Sequence, residues 1–292
     1  MPTNEQRRQA AKRKLDRQLA RRAARAQRRR WYAVAGSAAA VVLVIGLVVL
    51  ITVLGGDDGS SQAATPPSAD PVPSSAVESA LPEGPAIPAG RAPAPERPQP
   101  LPATVPCQYP PTGRPPAKPV QPPPGGETST EGTVGVTLQT GVGTIPLTLD
   151  RGLAPCAVNS FVSLAEQGFY DDTPCHRLTT SPTLQVLQCG DPSGTGRGGP
   201  GYSFADETFP ELSYGRGYLA MANSGPDTNG SQFFMIYGSA QLPPDYTVFG
   251  TIAPEGLQVI DRVARAGSDN ANRPGDGAPN TPVQIKSATV RR

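Results

Sequence analysis

Read for its hydrophobic and polar positions, the chain falls into four segments. Residues 1–30 are dominated by charged and polar side chains, while Trp31 to Gly56 carry no charge at all. Residues 57–130 lose hydrophobic periodicity and fill with Pro, Ala, Ser and Gly, with Tyr109 the one aromatic residue. Periodicity returns at 131–292. Thr133–Leu138 and Thr144–Leu149 alternate as two strands around a Gly-containing turn. Pro155 suits the first turn of a helix and Gly168 its end, with Val158, Phe161, Val162 and Ala165 at helical spacing between them. Short β-rich runs follow at 174–178, 184–189, 218–222, 232–237 and 246–252, separated by Gly, Pro, Asn and Asp. Leu257–Ala266 predicts a second helix and Val283–Val290 a closing strand. Many short strands with two helices predict an antiparallel barrel or sandwich, and periodicity alone does not choose between them.

Charge gives the first half a topology. Residues 1–30 hold twelve Lys/Arg and two acids, a local +10, which leaves fourteen basic and twenty-two acidic residues, or −8, for the rest of the +2 chain. The 22-residue apolar stretch Ala33–Leu54 would span about 33 Å as a helix, enough for a bilayer core of about 30 Å. A cleaved signal peptide has a shorter apolar region with its cleavage site close behind, so an uncleaved single-pass anchor over 31–56 is expected, in contact with membrane lipid. The basic residues keep the N-terminus cytoplasmic and place all that follows outside the plasma membrane. Beside a span, they serve topology and anionic-lipid contact better than a nucleic-acid arm, and no nucleic-acid partner is expected.

The remaining composition agrees. Twenty-one of 36 prolines lie between Pro66 and Pro124. Such a segment cannot bury enough apolar surface to offset its ordering entropy and reads as a tether over 57–130. All four cysteines (Cys107, Cys156, Cys175, Cys189) follow the span, and an even count outside the cytoplasm predicts two disulfides with three possible connectivities. None forms a CxxC pair, so no metal site is expected. If Cys107 pairs with a domain cysteine, the stretch near 107–124 is docked and only 57–106 is free. Gly194-Thr195-Gly196-Arg197-Gly198-Gly199 matches a dinucleotide fingerprint as a string, but Pro200-Gly201 follows where a helix must begin. The single histidine, His176, has no GxSxG elbow to serve, and reads as a packed or hydrogen-bonded strand residue.

Leu219 to Phe234 (LAMANSGPDTNGSQFF) closely resembles the signature of cyclophilins, the cyclosporin-binding peptidyl-prolyl isomerases. Phe169-Tyr170, His176-Arg177-Leu178, Gln188-Cys189-Gly190-Asp191-Pro192, Gly198–Tyr202, Val248-Phe249-Gly250 and Gly256–Ala264 follow the family order, so the resemblance covers about 131–290. It implies a mainly β fold, an eight-stranded antiparallel β-barrel capped by two α-helices, over 131–292. The implied activity is rotation of X-Pro peptide bonds in exported or envelope proteins. Nothing covalent changes, so no cofactor is expected.

By the same resemblance, Arg177 is the catalytic arginine and Gln188 orients it. Ala222, Asn223 and Gln232 line the groove, and Phe234 floors a proline pocket walled by Val186 and Leu242. Adjacent strand residues face opposite sides, so Phe233 is expected inside the barrel. This chain also departs from the pattern. Arg177 and Gln188 are eleven positions apart where eight is common, so three residues are inserted around Thr179–Thr183. Gln185-Val186 stands for the usual Phe-Met pocket pair, Tyr246 for the pocket histidine and Gln241 for the cyclosporin-contacting tryptophan. Cyclosporin binding is therefore expected to be weak. Cys175 and Cys189 flank the two active-site strands and Cys156 lies at the first helix's start, where disulfides would brace both strands; the pairing expected is Cys156–Cys175 and Cys107–Cys189, the second tying the linker's end to the barrel. A membrane-anchored prolyl isomerase is the leading reading. The rival is a non-catalytic module that binds proline-containing polypeptides as a tethered scaffold.

Overall fold

Apolar alternation decides the longest strands. Val134, Val136 and Leu138 of β3 (Thr133–Thr140) and Ile145, Leu147 and Leu149 of β4 (Gly143–Asp150) are buried, with partly or fully exposed residues between them. The two pair antiparallel across a Gly141-Val142 turn. The computed structural model describes residues 86–291. The basic segment 1–30, the expected anchor 31–56 and the tether residues 57–85 lie outside the described residues. Among those described, no helix is long and apolar enough to cross a membrane.

Six further strands follow: β6 (Arg177–Ser181), β7 (Leu184–Cys189), β8 (Tyr218–Met221), β9 (Phe233–Ala240), β10 (Val248–Ile252) and β12 (Gln284–Arg291). With two two-residue strands, β5 (Thr173–Pro174) and β11 (Asp276–Gly277), they form one antiparallel sheet in the order β11-β6-β7-β9-β8-β10-β4-β3-β12-β5. The expected eight-stranded barrel is thus a curled ten-stranded ladder, with eight strands of four residues or more and two short end strands. The end strands β11 and β5 are not paired to each other. Only Cys175 and His176 separate β5 at one end from β6 near the other. That link spans at most about 11 Å, so the sheet must curl until its ends approach.

Both helices, α1 (Pro155–Glu166) and α2 (Pro254–Arg265), begin on a proline, whose preset φ suits the first helical turn. This is why α2 starts three residues before the expected Leu257. Its Glu255, and Arg262 and Arg265, complement the helix dipole at the two ends. Helix α1 has no cap from its own Ala154. The Glu207 carboxylate accepts the N–H groups of Cys156 and Ala157 instead, at 2.9 and 2.8 Å. Phe161 of α1 reaches into the barrel, its ring 4.7 Å from Tyr170, 5.2 Å from Phe233 and 5.4 Å from Phe249.

Two expectations are corrected. The free tether was expected to reach 106, yet residues 86–106 lie against the barrel. Ala92 N–H donates to Arg216 O at 2.9 Å, and Arg97 to Leu153 O and Glu207 O at 2.8 and 2.7 Å. The composition argument holds for a chain that must bury itself; this one is laid on a surface already built. Its prolines lack N–H groups to satisfy and dock through their carbonyls. Tyr218 Oη donates to Pro93 O, Thr130 Oγ1 to Pro102 O and Ser203 N–H to Pro110 O. A separate ribbon of β1 (Thr104–Cys107) and β2 (Gly126–Ser129) closes this segment.

The disulfides are Cys107–Cys156 and Cys175–Cys189, not the expected Cys156–Cys175 and Cys107–Cys189. Arg177 lies opposite Gln188 on β6 and β7, so Cys175 and Cys189 sit on neighbouring tails of one hairpin. Cys156, at the start of α1, is left to the docked segment. Closing loops of 49 and 14 residues restricts the unfolded chain by about 4 and 3 kcal/mol respectively.

A buried ion pair ties α2 to the turn just before β8. Arg216 donates from Nη1 and Nη2 to Asp261 Oδ1 and Oδ2, both at 2.8 Å, and also to Tyr237 O. Asp261→Ala would strand the buried guanidinium, and should lower the unfolding free energy in urea titrations by about 3–5 kcal/mol. A loss below about 1 kcal/mol would show that solvent reaches the pair.

Candidate functional site

Strand register builds the site. Arg177 on β6 is opposite Gln188 on β7, Gln188 is opposite Phe234 on β9, and Phe234 is opposite Ala220 on β8. The four form one row across four strands and so share one face of the sheet. Val186 and Ile236 form the next row on that face. The three-residue insertion does not disturb the row. It lengthens the β6–β7 hairpin, which turns at Pro182-Thr183 between paired Ser181 and Leu184.

The polar side chains are joined end to end. Arg177 donates from Nε and Nη2 to Asp276 Oδ1 and Oδ2, both at 2.8 Å, and from Nη1 to Gln188 Oε1 at 3.2 Å. Gln188 Nε2 donates to Gln232 Oε1 at 2.9 Å, and Gln232 Nε2 to Gly198 O at 2.9 Å. Asp276 is 6% exposed and Arg177 31%, so the guanidinium is the member of the pair that faces outward. Asn272 and Arg273 also donate to Asp276, at 3.0 and 3.3 Å. Arg177 holds the Asp276 carboxyl down at about 2, and Asp276 in turn raises the Arg177 pKa.

The apolar part lies beside this chain. Phe234 is buried, and its ring meets the Tyr246 ring edge-on at 5.7 Å. Tyr246 is fixed by Tyr214, whose hydroxyl donates to Tyr246 O and accepts Tyr246 N–H, at 3.0 and 2.9 Å. Val186 is buried and Leu242 half-buried against the same core. Phe233 turns inward against Phe161 and Tyr170. Ala222 N–H donates to Gln232 O at 2.9 Å, and Asn223 Nδ2 to Asp245 O at 2.8 Å, which ties the loops at the groove's edge.

Gln185 does not join these residues. It lies one position from Val186 and therefore on the opposite face. Its Oε1 accepts Ser239 N–H at 2.8 Å and its Nε2 donates to Ala86 O at 3.1 Å. The expected pocket residue instead binds the docked segment. His176 sits in the two-residue break before β6, with neither ring nitrogen hydrogen-bonded and with its pKa lowered by burial. It is packed under Gly196, and it is not a strand residue.

The glycine-rich string closes over a carboxylate. Asp191 accepts N–H groups from Ser193, Arg197 and Gly198 at 2.8, 3.0 and 3.0 Å. Burial works against its charge, but bonds from Ser193 and Gly198 keep its pKa below the ordinary value. A Cβ at Gly198 would lie 1.9 Å from Asp191 Oδ1, so no other residue fits there. Beyond Arg177 and Gln188 a polar cleft of about 420 Å³ opens, lined by His176, Thr195, Asp269 and Asn272. Among the described residues no group of three or more His, Cys, Asp and Glu is placed to hold a metal ion.

A family model described as cyclophilin type peptidyl-prolyl cis-trans isomerase/CLD matches residues 135–290, more than half of the chain. The chain belongs to the cyclophilin family. A probable peptidyl-prolyl cis-trans isomerase B of Mycobacterium tuberculosis is 48% identical over 197 residues, covering 63% of this chain and 63% of that protein. The chain thus spans under two thirds of that relative's length. Peptidyl-prolyl cis-trans isomerase A of the same species is 40% identical over 176 residues, which cover 54% of this chain and 92% of that one. A cyclophilin type isomerase of Cryptosporidium parvum, known from its crystal structure, aligns with TM-score 0.49 and 34% identity over 55% of this chain and 99% of its own.

The cyclophilin site of this chain contains one partner that sequence reading missed, Asp276. It lies in a turn-rich stretch, Asn270–Gly277, where no periodicity marks a strand. Two backbone pairings with β6 bring it in. The carboxyl's pKa falls on folding from 3.8 to about 2, so its contribution to stability is full above 3.8 and is lost as pH falls through about 2. The stability difference between wild type and Asp276→Asn in urea unfolding should therefore shrink as pH drops from about 5 to about 2. A difference that stays constant over that range would mean the carboxylate charge is not what matters.

Proposed function

We propose that the chain is a peptidyl-prolyl cis–trans isomerase acting through Arg177. Rotation about the X-Pro bond breaks amide resonance, against a barrier of about 18–20 kcal/mol. In the twisted state the prolyl nitrogen regains a lone pair, and a fixed cation beside it helps only there. The observation that carries this reading is the row Arg177–Gln188–Phe234. It sets a fixed guanidinium beside an aromatic floor on one sheet face. Proline-containing polypeptides are the substrates this arrangement suits. A gain of about 5 kcal/mol is several thousand-fold in rate.

One observation favours the rival, a binding module without catalysis: the Asp276 carboxylate already pairs with Arg177. An NMR exchange assay on an X-Pro peptide separates the two. Arg177→Ala should lower kcat/KM by about 10²–10³-fold, the usual loss for one transition-state donor. Wild type no faster than the variant, with peptide still bound, would make the chain a scaffold.

We further propose that residues 31–56 anchor the chain in the plasma membrane, with the N-terminus cytoplasmic and the isomerase domain outside, acting on exported or envelope proteins. The uncharged stretch after twelve basic residues supports the anchor. Two cysteine pairs in disulfide geometry support an oxidising compartment. Peptide mapping of protein alkylated at lysis from its native cells should recover joined Cys107–Cys156 and Cys175–Cys189 peptides. Four alkylated thiols would place the domain in the cytosol and overturn the topology.

A further inference from the structure

We propose that the docked segment Pro110–Lys118, outside residues 135–290 that the family model matches, is a positioning element for the Arg177 site. The proposal rests on the isomerase reading above. The segment is pinned at both ends. On one side stand the Cys107–Cys156 disulfide and Tyr109, whose hydroxyl donates to Cys156 O at 2.9 Å and whose ring meets Tyr202 and Phe204 edge-on. On the other, Lys118 Nζ donates to Gly168 O and Asp171 O at 2.6 and 2.9 Å.

Between these pins it runs along the loop 199–203. Ser203 N–H donates to Pro110 O at 3.0 Å, Thr112 N–H to Gly201 O at 2.9 Å and Ala117 N–H to Gly199 O at 2.9 Å. The approach is close enough that a Cβ at Gly201, where φ is +83°, would lie 3.1 Å from Pro116. The loop's next carbonyl inward, Gly198 O, is the one that holds Gln232. A continuous path therefore leads from Ala117 to the Gly199 carbonyl, through the backbone of Gly199 to the Gly198 carbonyl, and on to Gln232, Gln188 and Arg177, using four hydrogen bonds. Asp191 holds the same loop from inside, through the N–H groups of Arg197 and Gly198. The loop is thus clamped between a buried carboxylate and the strap. The strap sets where the Gly198 carbonyl points, and so where the Arg177 fork is aimed.

Ala117→Pro removes the N–H that bonds Gly199 O, while Ala117→Gly keeps it. Both are to be compared with wild type as the full-length chain in detergent micelles. Ala117→Pro should lower kcat about tenfold, because a displaced catalytic group costs rate, with KM held within about twofold. The side-chain amide NMR signals of Gln188 and Gln232 should shift in that variant, and Ala117→Gly should match wild type in both readings. Unchanged kcat, or a loss of kcat with those signals unmoved, would overturn the proposal and leave Asp191 as sufficient. Should Ala117→Pro fail to fold, the Cys107→Ser, Cys156→Ser double variant releases one pin and is judged by the same two readings. If wild type has no isomerase activity, the reading of function falls instead, and the strap is judged on the glutamine signals alone: a shift supports it and constancy overturns it.

Discussion

A guanidinium offers five N–H groups on a rigid planar fork. In this chain Asp276 takes two of them and Gln188 one, so two of the five remain. Fixing Nε and Nη2 fixes Nη1 as well, because the fork cannot bend. The rest of the site follows from that constraint. Strand β11 has only two residues, and its placement against β6 delivers one carboxylate to one arginine. The glutamines Gln188 and Gln232 carry the alignment to the loop that closes over Asp191.

The fold supplies rigidity where this alignment needs it. Cys175 lies two residues before Arg177 and Cys189 directly after Gln188, so their disulfide ties together the tails of both active-site strands. The same break, Cys175-His176, joins the two ends of the curled ladder. The segment that links the sheet's two ends therefore also carries one half of the cross-link beside the arginine. The second disulfide works at a distance, by holding the docked segment that covers the neighbouring loop.

Much of the fold was legible because its strands alternate and its helices start on prolines. β3, β4 and β7 fall where the pattern predicts, and α1 ends just before Gly168. What was not legible has a common cause. β5 and β11 are too short for any period, and β1, β2 and the strap are held by contacts with residues far along the chain. Asp276 and Ala117 belong to that class, lying 99 and 60 positions from Arg177. The disulfides failed for the same reason. Proximity to the active-site strands was readable, but which tails face each other depends on register. Gln185 shows the limit of carrying a residue's role across a family by position, since its side chain lies on the other face of β7.

In the proposed mechanism an ion-paired arginine serves X-Pro rotation, and that pairing needs a physical account. Two opposite charges cancel at long range, yet the species to be stabilised is a lone pair on one nitrogen, in contact with the groove. At contact distance the nearer charge dominates, since the Coulomb term falls with separation. Arg177 is the exposed partner and Asp276 the buried one, so a peptide in the groove meets N–H groups first and the carboxylate only behind them. The pair then acts as an oriented dipole with its positive end outward. What it gives up in net charge it gains in preorganisation, because the arginine does not have to be gathered from solvent when the bond twists. Asp276 is in this view part of what makes Arg177 a fixed donor.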